Sequence, residues 1–143
     1  MTAAPSHELD LALARKVLDA QPFSRLLGAR ITAFGEGGAT LELDVREELR
    51  QQNGFVHGGV LSYAADNALT FAAGTALGGA VLTAGFSIQY VRPAVGVTLI
   101  ARAEVVHAGR RQAVTRCDLL TVNAEGAETL CAVAQGTVLA ANG

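Results

Sequence analysis

The sequence predicts an α+β protein: one long helix and a mostly antiparallel β-sheet of about six strands, behind a helical N-terminal segment. Three observations predict it. The stretch GFVHGGVLSYAADNALTFAAGTALGG is Ala-rich and closes on Gly78 and Gly79, which reads as a single helix from about His57 to about Leu77. Two segments of strand character precede it and four follow. The resulting order is helix, two strands, long helix, four strands, which is not the alternation that builds a parallel sheet.

Each element has its own signal. Ser6 reads as an N-cap, with Glu8 and Asp10 in the first turn. Leu9, Leu13, Val17 and Leu18 follow helical spacing, Pro22 ends the run, and Phe23 to Leu27 reads as a second short turn. Ala29 to Phe34 is a strand. Gly35, Gly37 and Gly38 mark a tight turn into Ala39 to Val45, where Leu41, Leu43 and Val45 alternate with Glu42 and Asp44. A polar loop covers Arg46 to Asn53. After the long helix, strands run from about Val81 to Val91, Thr98 to His107, Gln112 to Val122 and Glu128 to Ala140. Turn signals separate them at Pro93 and Gly96, at Gly109, and at Asn123 and Gly126. The organisation is therefore an N-terminal helical segment, 1–26, and one helix-and-sheet domain, 27–143.

Composition narrows the class. A chain of 143 residues folds to roughly 7,000 Å² of surface against roughly 21,000 Å² unfolded, enough burial for one core. Half the residues are hydrophobic and 17% are charged, which argues against disorder. Trp is absent, so Ala, Val, Leu and Ile must build the core. The net charge of −2 argues against a nucleic-acid partner. Cys117 and Cys131 form no CxxC motif, so neither a disulfide framework nor a thiolate metal site is expected; two free thiols fit a reducing compartment. The N-terminus has acidic residues and no apolar core region, unlike a signal peptide. Ser62, Asp66, Asn67 and Thr70 interrupt the longest apolar stretch, which is unlike a membrane span. The expected location is the cytoplasm. His7, His57 and His107 lack ligand spacing, so no metal is expected.

The long helix carries the candidate chemistry. At 100° per residue, Val60, Leu61, Ala64, Ala68 and Ala72 share one face, and Ser62, Tyr63, Asp66, Asn67 and Thr70 share the other. Asp66 is the only charge in the helix. It is either part of a solvated polar face or a carboxylate in a half-buried site, where a charge needs a function. The start, His57-Gly58-Gly59, is equally two-sided. The glycines either relieve a tight turn or let an acyl group approach the unpaired N–H groups of the helix N-terminus, which can hold a developing oxyanion. His57 reads first as a hydrogen-bonded structural residue. Gly58 and Asp66 stand about 12 Å apart along a helix. They cannot reach one carbonyl carbon from the same helix. If both serve one site, Asp66 comes from a second subunit whose helix runs antiparallel, in a two-fold dimer.

At this point the sequence resembles a known family. Gln51 to Thr70, with HGG and then Asp66 nine residues after His57, and the later run SIQYVRPA resemble the hotdog-fold acyl-CoA thioesterases of the phenylacetic-acid degradation type. The likeness runs from Leu27 onward. It implies a long helix wrapped by an antiparallel sheet, a dimer with a continuous sheet, and pairing of dimers into tetramers. It implies that the Gly58 N–H, with Gly59 beside it, polarises the thioester carbonyl. It further implies that Asp66 of the partner subunit is the nucleophile or the general base, that Thr70 and Thr83 place the attacking water, and that His57 orients the loop or the Gly58 amide. Gln51, with Asn53 in the same loop, falls where relatives carry an amide near the thioester.

The substrate implied is an acyl-CoA, with no separate cofactor. CoA phosphates call for basic groups at the mouth, and Arg92, Arg110 and Arg111 are the candidates. Tyr63, Asn67, Phe71 and Phe86 are candidate pocket residues for an aryl-acyl group. Two alternatives remain. One is a hotdog enoyl-thioester hydratase or dehydratase, which hydration of crotonyl-CoA would reveal. The other is a non-catalytic acyl-CoA binding protein, which binds without turnover.

Overall fold

The computed structural model describes residues 10–141. Two short helices come first, α1 (Leu11–Asp19) and α2 (Pro22–Leu27). A hairpin follows, β1 (Arg30–Gly35) and β2 (Gly38–Asp44), then α3 (Gly58–Leu77). The chain ends on β3 (Val81–Tyr90), β4 (Thr98–Ala108), β5 (Gln112–Val122) and β6 (Glu128–Ala140). All strand pairs are antiparallel, in the order β1-β2-β4-β5-β6-β3, and α3 lies across one face of this six-stranded sheet. This is the hotdog fold.

The core is built where α3 meets the sheet. Ala64, Ala65, Ala72 and Ala73 are fully buried, and their small side chains let the helix axis come close to the strands. Leu61 and Leu69 from the helix meet Leu41, Leu43, Leu99 and Leu119 from β2, β4 and β5 in one cluster. Each such leucine contributes about 1.5–3 kcal/mol by leaving water. The opposite stripe, Ser62, Tyr63, Asp66, Asn67 and Thr70, stays half-buried as the wheel expects. No helix among the described residues is long and apolar enough to cross a membrane.

Some sequence expectations need correction. Asp10 is not a first-turn residue. It is the N-cap of α1, accepting the Leu13 N–H at 2.9 Å. Ser6, Glu8 and Leu9 lie outside the described residues. Pro22 ends α1 but also opens α2, where its missing N–H costs nothing. The polar loop holds a 3-10 turn, Glu47–Leu49, anchored by buried Leu49.

Cys117 and Cys131 are free and buried, as expected. Burial, with the Asp118 charge beside it, pushes the Cys117 thiol up to about 12, so it stays protonated and inert near neutral pH.

The sheet feature that matters most for the site is a bulge in β3. Pairing with β6 shifts between Thr83 and Gly85. Val81 and Thr83 face the helix before it, and Phe86 and Ile88 face the helix after it. Without the extra residue, Thr83 and Phe86 would point to opposite sides. Gly136 of β6 lies against the bulge. A Cβ there would sit 2.7 Å from Phe86 Cβ and 2.8 Å from the Gly85 carbonyl oxygen. At Gly85 itself a Cβ would meet nothing within 4 Å. Gly136→Ala is therefore expected to cost about 1–3 kcal/mol from overpacking, and Gly85→Ala less than about 0.5 kcal/mol. Urea midpoints at constant m-value measure both.

Candidate active site

The start of α3 is built by its own capping residue. His57, in an extended conformation, folds its ring back so that Nδ1 accepts the Gly59 N–H at 2.8 Å. The His57 carbonyl accepts the Val60 N–H at 2.9 Å. Gly58 N–H makes no hydrogen bond to any described residue, so it is the donor this turn leaves free. The glycines also have a steric reason. A Cβ on Gly59 would lie 3.0 Å from His57 Nδ1, and one on Gly58 would lie 3.3 Å from the Tyr90 hydroxyl. The space they vacate is filled by the protein's own side chains, while the Gly58 N–H stays open.

Gly58 and Gly59 line a cleft of about 490 Å³ with Gln51, Leu61, Tyr90 and Arg92. Phe55, Val56, Val91, Pro93 and Ala94 give it an apolar wall. Gln51 is fixed by the turn it closes: its N–H bonds the Phe55 carbonyl at 2.8 Å, and its side-chain oxygen accepts the Asn53 N–H. The helix start is tied to this loop by His57 N–H to Leu49 carbonyl at 2.8 Å.

Two turns along α3 a second cluster forms. The Thr83 hydroxyl donates to Asp66 Oδ1 at 2.7 Å, and Thr70 Oγ1 lies 2.6 Å from Thr83 Oγ1 and 2.8 Å from the Asp66 carbonyl. With an ionised carboxylate, Thr83 spends its one proton on Asp66. The single Thr70 proton is then shared between the Asp66 carbonyl and Thr83 Oγ1. No basic side chain pairs with Asp66 among the described residues. Beside Thr70 opens a cavity of about 120 Å³, lined by Val17, Gln21, Asn67, Phe71, Gly74, Gly79 and Val81.

The structure brings Gln51, Gly58, Gly59 and Arg92 to one cleft, and Asp66, Thr70, Thr83 and Asn67 to one cluster. Others are placed differently from the expectation. Asn53 is exposed and does not line the cleft; only its backbone meets Gln51. Tyr63 docks α2: its hydroxyl donates to Ser24 at 2.5 Å, Ser24 donates to Gln21 at 2.6 Å, and its ring meets Phe23 edge-on. Burial raises the Tyr63 phenol above its ordinary range, against a smaller lowering by Ser24. Arg110 and Arg111 sit in the β4–β5 turn. That turn lies at the Val81 end of the sheet, because Arg111 accepts from Ala140, which pairs with Val81. They are remote from the Gly58 cleft within one chain. Phe86 packs into the core, whereas Phe71 keeps its pocket placement, on the wall of the cavity beside Thr70. Sequence reasoning missed Tyr90 and Gln21. The signal for Tyr90 was the run SIQYVRPA, read for its likeness and not for its parity.

Comparisons with known proteins agree with this fold. A sequence profile of the thioesterase superfamily matches residues 53–127. A Mycobacterium tuberculosis protein provisionally named an esterase is 36% identical over 96 residues, which cover 64% of this chain and 69% of the relative. The crystal structure of a thioesterase family protein from Silicibacter pomeroyi superposes with TM-score 0.82 at 32% identity, over 88% of this chain and 93% of that one. A variant of a phenylacetic acid degradation protein from Thermus thermophilus superposes with TM-score 0.72 at 31% identity, over 83% and 98% of the two chains. The chain belongs to the thioesterase superfamily, and it is a thioester hydrolase.

The Thr83 contact makes a testable difference. A hydrogen bond to a charged group is worth about 1.5–3 kcal/mol, so Thr83→Val should lower thioester turnover by about 10- to 100-fold. Thr83→Ser, which keeps the hydroxyl, should stay near the wild-type rate. Steady-state hydrolysis of one ester by the three proteins measures this.

Proposed function

We propose that the protein hydrolyses aryl-acyl-CoA thioesters of phenylacetyl type, as a two-fold dimer whose sites combine Gly58 of one subunit with Asp66 of the other. The observation that carries the reading is the free Gly58 N–H on a cleft, eight residues before a carboxylate held by Thr83 on the same continuous helix.

The thioester carbonyl oxygen rests on the Gly58 N–H, aided by the positive end of the helix dipole. Asp66 of the partner subunit then acts in one of two ways. As general base it takes a proton from water while the water oxygen attacks the carbonyl carbon. As nucleophile it attacks directly, giving a mixed anhydride that water later cleaves. In both, the carbon–sulfur bond breaks and CoA leaves as thiolate, to be reprotonated. Thr83, donating to Asp66 Oδ1, and Thr70 behind it keep the carboxylate aimed. His57 acts through the turn it caps.

Edge strand β3 supports the dimer. Among the described residues it pairs only with β6, and its other edge spans ten residues, a template for an antiparallel copy of itself. Such pairing would lay two α3 helices antiparallel, and dimers could pair further into tetramers. The Arg92 guanidinium on the Gly58 cleft is placed to meet CoA phosphate. Arg110 and Arg111 lie at the Thr83 end of the sheet, so they would arrive with the half that brings Asp66. The aryl reading rests on the cavity of about 120 Å³ beside Thr70. Phe71, Val17 and Val81 give this cavity an apolar part against which a ring can pack. The Thermus thermophilus relative, named for phenylacetic acid degradation, agrees. Two buried free thiols suit the cytoplasm.

Release of CoA from phenylacetyl-CoA, benzoyl-CoA and octanoyl-CoA tests the reading. Wild type should prefer the aryl esters. Asp66→Asn keeps the shape and should lose about three orders of magnitude or more in kcat. No release from any ester, or equal release by the variant, would overturn the assignment. Octanoyl-CoA as best substrate would overturn the aryl class alone.

A further inference from the structure

The helix start that holds the free Gly58 amide is poor in intrinsic order. Two successive glycines open α3, each about 1 kcal/mol worse than alanine in a helix. A donor for an oxyanion helps only if it is held in place before reaction. Something outside the turn must supply that rigidity. One flank is His57, whose Nδ1 fixes the Gly59 N–H. The other flank is Tyr90, at the end of β3.

The Tyr90 ring is half-exposed, yet its hydroxyl is held on both sides. It donates to the Gly58 carbonyl at 2.9 Å and lies 2.9 Å from Ser62 Oγ. Because its one proton goes to the carbonyl, Ser62 is the donor in the second contact. In an α-helix the Ser62 N–H also points at that same carbonyl, so one residue of α3 grips both the turn and the phenol. The Gly58–Gly59 peptide is thus bonded at its oxygen by Tyr90 and at its nitrogen by His57. The Gly58 Cα is the joint between that fixed peptide and the peptide whose N–H faces the cleft. The bulge between Thr83 and Gly85 is what turns Tyr90 to this side of the sheet.

We infer that Tyr90 is a positioning residue: its hydroxyl, oriented by Ser62, locks the Gly58–Gly59 turn so that the Gly58 N–H stays aimed at the substrate carbonyl. The inference rests on the thioesterase reading with Gly58 as oxyanion donor. Tyr90 itself donates to protein and not to substrate.

Tyr90→Phe removes one oxygen and keeps the ring. It is expected to lower kcat for phenylacetyl-CoA about 10-fold, with KM within about twofold, because the lost interaction matters mainly in the transition state. Ser62→Ala should fall between the variant and wild type. A second readout separates positioning from general loosening. The carbonyl stretch of phenylacetyl-CoA bound to Asp66→Asn reports the hydrogen bond on its oxygen. Adding Tyr90→Phe should move that band back toward the free ester. A Tyr90→Phe enzyme with wild-type kcat and an unmoved band would overturn the inference while leaving the thioesterase reading intact. A wild type that cleaves no acyl-CoA would overturn both.

Discussion

The small side chains along the buried face of α3 set how closely helix and sheet approach. Alanines at 64, 65, 72 and 73 meet the strands with no large side chain between. That close contact holds α3 against the sheet as one continuous helix of 20 residues, from Gly58 to Leu77. Helical rise over the eight residues between them sets Gly58 and Asp66 about 12 Å apart. The helix also keeps one half-buried polar stripe, Ser62, Tyr63, Asp66, Asn67 and Thr70. In the proposed reading the separation of Gly58 from Asp66 is why a second subunit is needed, since bending could bring the two groups together only by breaking the core.

Strand β3 does the complementary work. It supplies Thr83 to the carboxylate near its start and Tyr90 to the helix N-terminus at its end. These residues differ in parity, so a regular strand would present only one of them to α3. The single bulge reconciles them, and Gly136 on the neighbouring strand makes room for it. The strand lies at the sheet edge, so the element that contacts both Asp66 and the Gly58 turn is also the one open to pairing with a second copy.

Much of this was legible in the sequence. The Ala-rich run located α3 to within a residue. Gln112–Val122 and Glu128–Ala140 came out with the observed bounds, because alternation and turn residues both mark them. Asp66 stood out as the one charge on an apolar helix, and Thr70 followed from helical spacing. Thr83 came only from the family likeness, since nothing local says that a threonine in a strand faces a carboxylate. Tyr90 was hidden because bulges leave no reliable mark in composition. Tyr63 misled because a helix stripe does not say which neighbour it meets: here it meets α2 through Ser24. Arg110 and Arg111 sit where turn signals put them, but the sequence does not say which end of the sheet faces the cleft.

Subunit mixing tests the shared site most directly. Gly58→Pro deletes the amide hydrogen at a first helical position, after a residue already extended (His57 φ −59°, ψ 136°), and the exposed Tyr90 side chain, whose hydroxyl lies 3.3 Å from the new Cβ, must shift to admit it. Combined one to one with Asp66→Asn and allowed to exchange, about half the dimers should be hybrids, each with one intact site, so about a quarter of wild-type activity should return from two inactive proteins. Activity that stays at the level of the separate variants, with hybrids present by native mass spectrometry, would contradict a site shared between subunits.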